Sequence, residues 1–157
     1  MSNIIFLEFF SKKNFPPGEW LREPDLSHWR QYDMACLALR DMSLGVWKGF
    51  VGVDRKHPFY GKSIEDILKT EYAMEVFFEV YGGLCSAGRL PTRYRDYSSN
   101  LWWIGIETSH GADLMPLLKL NTDDPDMAKM VSHQTYKNFM FIRKETNKLA
   151  KFLSRMT

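Results

Sequence analysis

Apolar residues at positions 3–10 form a run short enough for one strand, before Ser11-Lys12-Lys13-Asn14 and Pro16-Pro17-Gly18 break the backbone. Residues 18–32 set Trp20, Pro24 and Trp29 among charges and read as an irregular loop or short helical turn pinned by indoles. Two apolar stretches, 35–40 and 46–53, then flank a short turn ending in Gly45, which is a hairpin signal. Gly49 and Gly52 carry nothing to pack, so a bulge or a close approach by another group is expected there.

Residues 54–62 form a loop centred on His57-Pro58-Phe59-Tyr60-Gly61. Ser63 stands three residues before Asp66, a capping-box arrangement, and Ile64, Ile67 and Leu68 give the short helix behind it one apolar stripe. Residues 75–81 alternate well enough for a strand, ended by Gly82-Gly83. Residues 84–100 form a long connection in which Arg89, Arg93 and Arg95 interleave with Tyr94 and Tyr97. Residues 102–107 predict a buried strand, and Asp124 before Pro125 marks a helix start. Phe139, Ile142, Thr146, Leu149, Leu153 and Met156 recur at spacings of 3, 4, 3, 4 and 3, one face of an amphipathic helix whose last turns are basic. The sum is an α+β domain spanning residues 1–157: an antiparallel sheet of about four strands with a long C-terminal helix packed on one face.

Composition narrows this picture little. The 157 residues are 25% charged and 45% apolar, an ordinary globular balance. Twenty-one basic against 19 acidic side chains leave +2, which argues against nucleic acid or a lipid surface as partner. No apolar run reaches membrane-spanning length and no basic leader opens the chain, so a cytoplasmic protein is expected. Cys36 and Cys85 fit no zinc motif and read as small buried hydrophobes of a reducing compartment. Aromatics are the outlier, with 11 Phe, 7 Tyr and 5 Trp. They suit a thick core or a flat-sided cleft.

Three loops carry polar groups among apolar neighbours. The first holds His57 beside Tyr60; the second is Tyr81-Gly82-Gly83, whose glycines expose backbone N–H groups suited to an anion. The third has Glu107, His110 and Asp113 at spacings of three, which share a face if the chain turns helical there. That set suits an acid–base pair or a metal, against the plainer account that His110 and Asp113 only tie the loop together. Arg89, Arg93 and Arg95 suit a phosphate, or simply solvent. Trp102 and Trp103 are neighbours on one strand and so point to opposite faces; one indole meets a second layer, a partner or a ligand.

Gly18-Glu19-Trp20 with Glu23-Pro24-Asp25, His57-Pro58-Phe59-Tyr60-Gly61, Tyr81-Gly82-Gly83-Leu84 and Trp102-Trp103-Ile104-Gly105-Ile106-Glu107 followed by His110 and Asp113 form an ordered series. Across roughly residues 18–155 the chain resembles a family of small phage- and prophage-encoded proteins. That family carries Gly-x-Trp…Glu-Pro-Asp, His-Pro-x-x-Gly, His-Gly-Gly-Leu and Trp-Trp-x-Gly-x-Asp-x-x-His-x-x-Asp. The resemblance implies a phage accessory role and no particular reaction. Tyr81 replaces the family's His, and Glu107 its Asp. Losing a neutral-pH base and metal ligand would impair a His-dependent catalyst, whereas a binding pocket tolerates a stacking ring in its place.

Three functions follow as expectations. The first is a non-catalytic protein that sequesters a small host ligand, such as a nucleotide signal, and so counters host defence. Its ligand would be held by His57, Tyr60, Tyr81, Gly82, Gly83, Arg89, Arg93, Trp102, Trp103 and His110. The second is a hydrolase using His57, Glu107, His110 and Asp113, with or without a metal. The third is an inhibitor that docks on a host protein. No cofactor is expected, and a homodimer is open because an exposed indole on a sheet face suits one.

Overall fold

Alternation in the chain becomes six antiparallel strands: β1 (Phe6–Glu8), β2 (Leu26–Gln31), β3 (Met34–Asp41), β4 (Val46–Val53), β5 (Ser86–Gly88) and β6 (Trp102–Glu107). They lie in the order β1-β2-β3-β4-β6-β5. The structure is a computed structural model that describes residues 5–90 and 100–156, so Arg93 and Arg95, with Tyr94 and Tyr97, lie outside the described residues. Among the described residues four α-helices complete the fold, α1 (Ile64–Leu68), α2 (Tyr72–Glu79), α3 (Pro125–Ser132) and α4 (Phe139–Ser154), with a short 3-10 helix over Glu19–Arg22. Among the described residues no helix is long and apolar enough to cross a membrane.

Helix α4 lies across one face of the sheet. Trp29, Cys36, Ala38, Trp47, Val51, Val53, Ile104 and Ile106 meet its Ile142, Leu149, Ala150 and Leu153 there. Gly49 allows the close approach, because a Cβ at that position would stand 2.2 Å from Thr146 Oγ1. On the other face Leu26, Leu37 and Trp103 form a second, smaller cluster with Leu39, Phe50 and Leu101 packed against it.

Three expectations change. The sheet has six strands rather than about four. One of the additions is β2, in the stretch read as an irregular loop or short helical turn; the turn is present as the 3-10 helix over Glu19–Arg22, ahead of the strand. Leu26 and Trp29 are both buried but face opposite sides of the sheet, so no period-two signature marks the strand. Another is β5, three residues of the long connection that pair with β6. Residues 75–81, read as a strand, are mostly helix α2. Val76 and Val80, four apart, point inward, while Phe77 and Phe78 are exposed and only mimic alternation. The predicted caps are present: Ser63 Oγ accepts from the Asp66 N–H at 3.1 Å, and the Asp124 side chain accepts from the Asp126 N–H at 3.0 Å.

Candidate functional site

After α2 ends, Tyr81 enters a turn in which Gly82 and Gly83 both have φ of +70°, a region costly for any side chain. The turn is held to α4 by Glu145, whose buried carboxylate accepts from the Tyr81 N–H at 2.9 Å. A second segment, 108–113, leaves β6 as a tight turn closed by the Asp113 N–H on the His110 carbonyl. A third is brought alongside when Thr135 pairs with residues 112–114 through two backbone hydrogen bonds. These contacts place Tyr81, His110, Asp113 and Lys137 together.

Asp113 is the centre. It is fully buried and accepts from the Tyr81 hydroxyl at 2.5 Å and from Lys137 Nζ at 3.1 Å, both on Oδ1. Its Oδ2 accepts from the His110 backbone N–H at 2.9 Å and from His110 Nδ1 at 3.1 Å. Burial opposes its charge, but these donors outweigh burial and hold its carboxyl below the usual range. The Tyr81 phenol moves the opposite way, raised first by burial and then by the adjoining carboxylate. Because an ionised Asp113 only accepts, Nδ1 of His110 must carry its proton, and the neutral ring then presents a lone pair on Nε2. Nε2 has no hydrogen-bond partner among the described residues, and the His110 side chain is 36% exposed. Its ring lies over Gly82, where a Cβ would stand 2.4 Å from Cε1.

Glu107 stays outside this group. It ends β6 opposite Lys48, on the sheet face shared with Trp103 and Gly105. It makes no hydrogen bond or ion pair with His110 or Asp113, and the segment between them is a turn instead of a helix. His57 is also occupied elsewhere. Its Nε2–H donates to the Leu153 carbonyl near the end of α4 at 3.0 Å, and its Nδ1 accepts from the Phe59 N–H at 3.0 Å. Burial lowers its pKa, so a neutral ring pins the 54–62 loop to α4. Among the described residues no group of three or more His, Cys, Asp or Glu is arranged to hold a metal ion.

A separate patch gathers Tyr60, Arg89 and Trp102. The Arg89 guanidinium lies 5.8 Å from the Trp102 ring and donates to the Tyr60 hydroxyl at 3.3 Å. The two rings are 6.2 Å apart, and Trp102 Nε1 donates to the Lys62 carbonyl at 2.9 Å. The Arg89 hydrogen bond, with Arg55 behind it, holds the Tyr60 phenol below its ordinary pKa. Trp103 points the other way and is buried in the second cluster; the layer it meets is Leu26 and Leu37, and its Nε1 has no hydrogen-bond partner among the described residues. Gly83 approaches Phe77, not a ligand space.

Lys137 and Glu145 were not legible as site residues. Lys137 sits outside any motif, and Glu145 carries a charge on the buried side of an amphipathic helix. That second oddity was the one available signal. The same holds for Arg40, fully buried on β3 and bonded to Asp25 at 2.6 Å, Glu23 at 3.1 Å and the Tyr136 hydroxyl at 2.8 Å. The Glu23-Pro24-Asp25 segment therefore serves to anchor Arg40, with Lys12 completing the charge balance on Asp25 at 2.7 Å.

Fold and sites together define an α+β protein with one Asp-supported histidine at its surface and one arginine–aromatic patch. No protein-family model, curated protein or solved structure matches the chain.

Proposed function

We propose that the protein binds a small anionic ligand bearing a planar ring, of the nucleotide type, at the Tyr60–Arg89–Trp102 patch. The observation that carries this reading is the Arg89 guanidinium set against both the Tyr60 hydroxyl and the Trp102 ring. Guanidinium groups pair bidentately with phosphate, and indole and phenol rings stack on a base. Sequestration of such a ligand to blunt a host defence is the role that the phage-like motif series adds.

A second reading is favoured by the free Nε2 of His110. A neutral imidazole oriented by a buried carboxylate is a general base for an incoming water, the chemistry of a hydrolase.

A thermal-shift titration against linear nucleotides, cyclic nucleotides and adenosine diphosphate ribose, with each nucleotide re-examined by chromatography, separates the two. Ligand at 100 times its dissociation constant adds about 2.7 kcal/mol. Sequestration predicts a raised melting temperature, intact nucleotide, and an affinity at least tenfold weaker in Arg89→Ala. Consumption of the nucleotide that stops in His110→Ala moves the assignment to the hydrolase. No shift with any of them removes the small-ligand reading.

A further inference from the structure

Positive charge is unevenly spread over the fold. Arg143, Lys144, Lys148, Lys151 and Arg155 fall within 13 residues that hold one acid, Glu145, in a chain whose whole net charge is +2. Glu145 faces inward to Tyr81. Lys144, Lys148, Lys151 and Arg155 recur at spacings of 4, 3 and 4 and so line up along the outer side of α4 and its C-terminal end. At a rise of 1.5 Å per residue, successive cations stand about 4.5–6 Å apart along the axis, in a row about 16 Å long.

Arg155 lines a separate pocket with Glu75 and Glu79, whereas Lys144, Lys148 and Lys151 line a groove of about 470 Å³ together with Tyr32, Met140, Arg143 and Asn147. Among the described residues no carboxylate lines this groove. Lys148 reaches Glu145 at 2.9 Å, while Lys144 and Lys151 make no ion pair among the described residues. The Arg143 guanidinium is laid over the Trp29 ring at 5.9 Å, which holds it in place. Tyr32 occupies the two-residue turn between β2 and β3, where it and Asp33 have φ of 52° and 58°. Such turns favour Asn-Gly; here a tyrosine stands instead, with its ring 47% exposed beside the cations.

We propose that this groove binds single-stranded nucleic acid, with successive phosphates along Lys144, Lys148 and Lys151 and an unpaired base stacked on Tyr32. A row of separated cations matches a chain of phosphates better than one compact anion, and the adjacent exposed ring favours an unstacked strand over a duplex. The site is distinct from the Tyr60–Arg89–Trp102 patch and needs none of its residues.

The test is fluorescence anisotropy with a labelled oligothymidylate of about 12 nucleotides, at two or more salt concentrations. Three phosphate contacts give a slope of log affinity against log salt of about −2. Lys144→Glu with Lys151→Glu should weaken binding at least tenfold, and Tyr32→Ala about fivefold or more. Both lysines and Tyr32 are exposed, so the variants should keep the wild-type melting temperature within a few degrees. Arg89→Ala should bind the strand as the parent does. The proposal is overturned if the oligonucleotide does not bind at low salt, or if the double lysine variant binds unchanged. It also fails if Arg89→Ala abolishes binding, or if polyglutamate competes as well as the strand, which would mark an acidic protein as the occupant.

Discussion

Asp25 and Asp113 are both fully buried, and each accepts from a lysine, from a backbone N–H and from at least one further side chain. They nevertheless belong to different kinds of structure. Around Asp25 the partners close on one another. Arg40 is shared among Asp25, Glu23, the Gly45 carbonyl and Tyr136, with the Trp47 ring 4.6 Å from its guanidinium. The Tyr136 hydroxyl returns to Glu23, whose other oxygen accepts the Phe139 N–H at the start of α4. This network ties the N-terminal segment, β3 and α4 into one unit in which all four carboxylate oxygens of Asp25 and Glu23 accept a hydrogen bond. Around Asp113 the arrangement is open on one side, because His110 spends one nitrogen on the carboxylate and turns the other outward. A buried carboxylate whose partners are all satisfied from within acts as a structural tie. One whose partner faces solvent sets the tautomer and direction of an exposed ring.

Removing a partner should separate the two most clearly. Arg40→Leu strands Glu23 and Asp25 in the interior and should destabilise the protein by about 3–5 kcal/mol, measured by urea denaturation. Asp113→Asn should cost less, about 2–3 kcal/mol, since Lys137 and His110 can turn to water once released. If the two losses were equal, Asp113 would be as closed a tie as Asp25.

The acid limb sharpens the contrast. Because the folded Asp113 carboxyl lies below its unfolded value of about 3.9, its contribution is fully present above that value. It is lost as the pH falls through the folded pKa. Melting temperature followed from pH 7 down to strongly acid conditions should therefore fall more steeply in the parent than in Asp113→Asn.

The smallest effect should come from Gly82→Ala. The new methyl meets the His110 ring and the backbone sits at φ +70°, so a loss of about 1–2 kcal/mol is expected. His110 side-chain NMR resonances should shift while those of Trp47, beside Arg40, stay in place. Unmoved His110 signals would show that the ring is not seated against the turn.

The overall charge balance is a poor guide to local surfaces. Near-neutrality argued against a nucleic-acid partner, yet four cations and one inward-facing acid share a single stretch of α4, with Arg155 at its C-cap. Which side of a helix a charge occupies can be read from its spacing. Which charges have inward partners cannot, because Glu145 meets Tyr81 across 64 residues of chain.

Local pattern determined the β3–β4 hairpin, strand β6, helix α4 and the caps at Ser63 and Asp124, since each is marked by residue types and spacing within its own segment. It also drew attention to Tyr81, His110 and Asp113 as polar groups next to apolar runs. Tertiary structure alone decided that residues 72–79 coil and do not extend, because the inward positions of Val76 and Val80 depend on the core they enter. It alone made β2 a strand, buried on both faces by partners far along the chain. It also separated Glu107 from His110, buried Trp103 while leaving Trp102 beside Arg89, and brought Lys137 to Asp113. Periodicity reports which residues avoid water, whereas the partner a buried charge finds is set only when distant segments close around it.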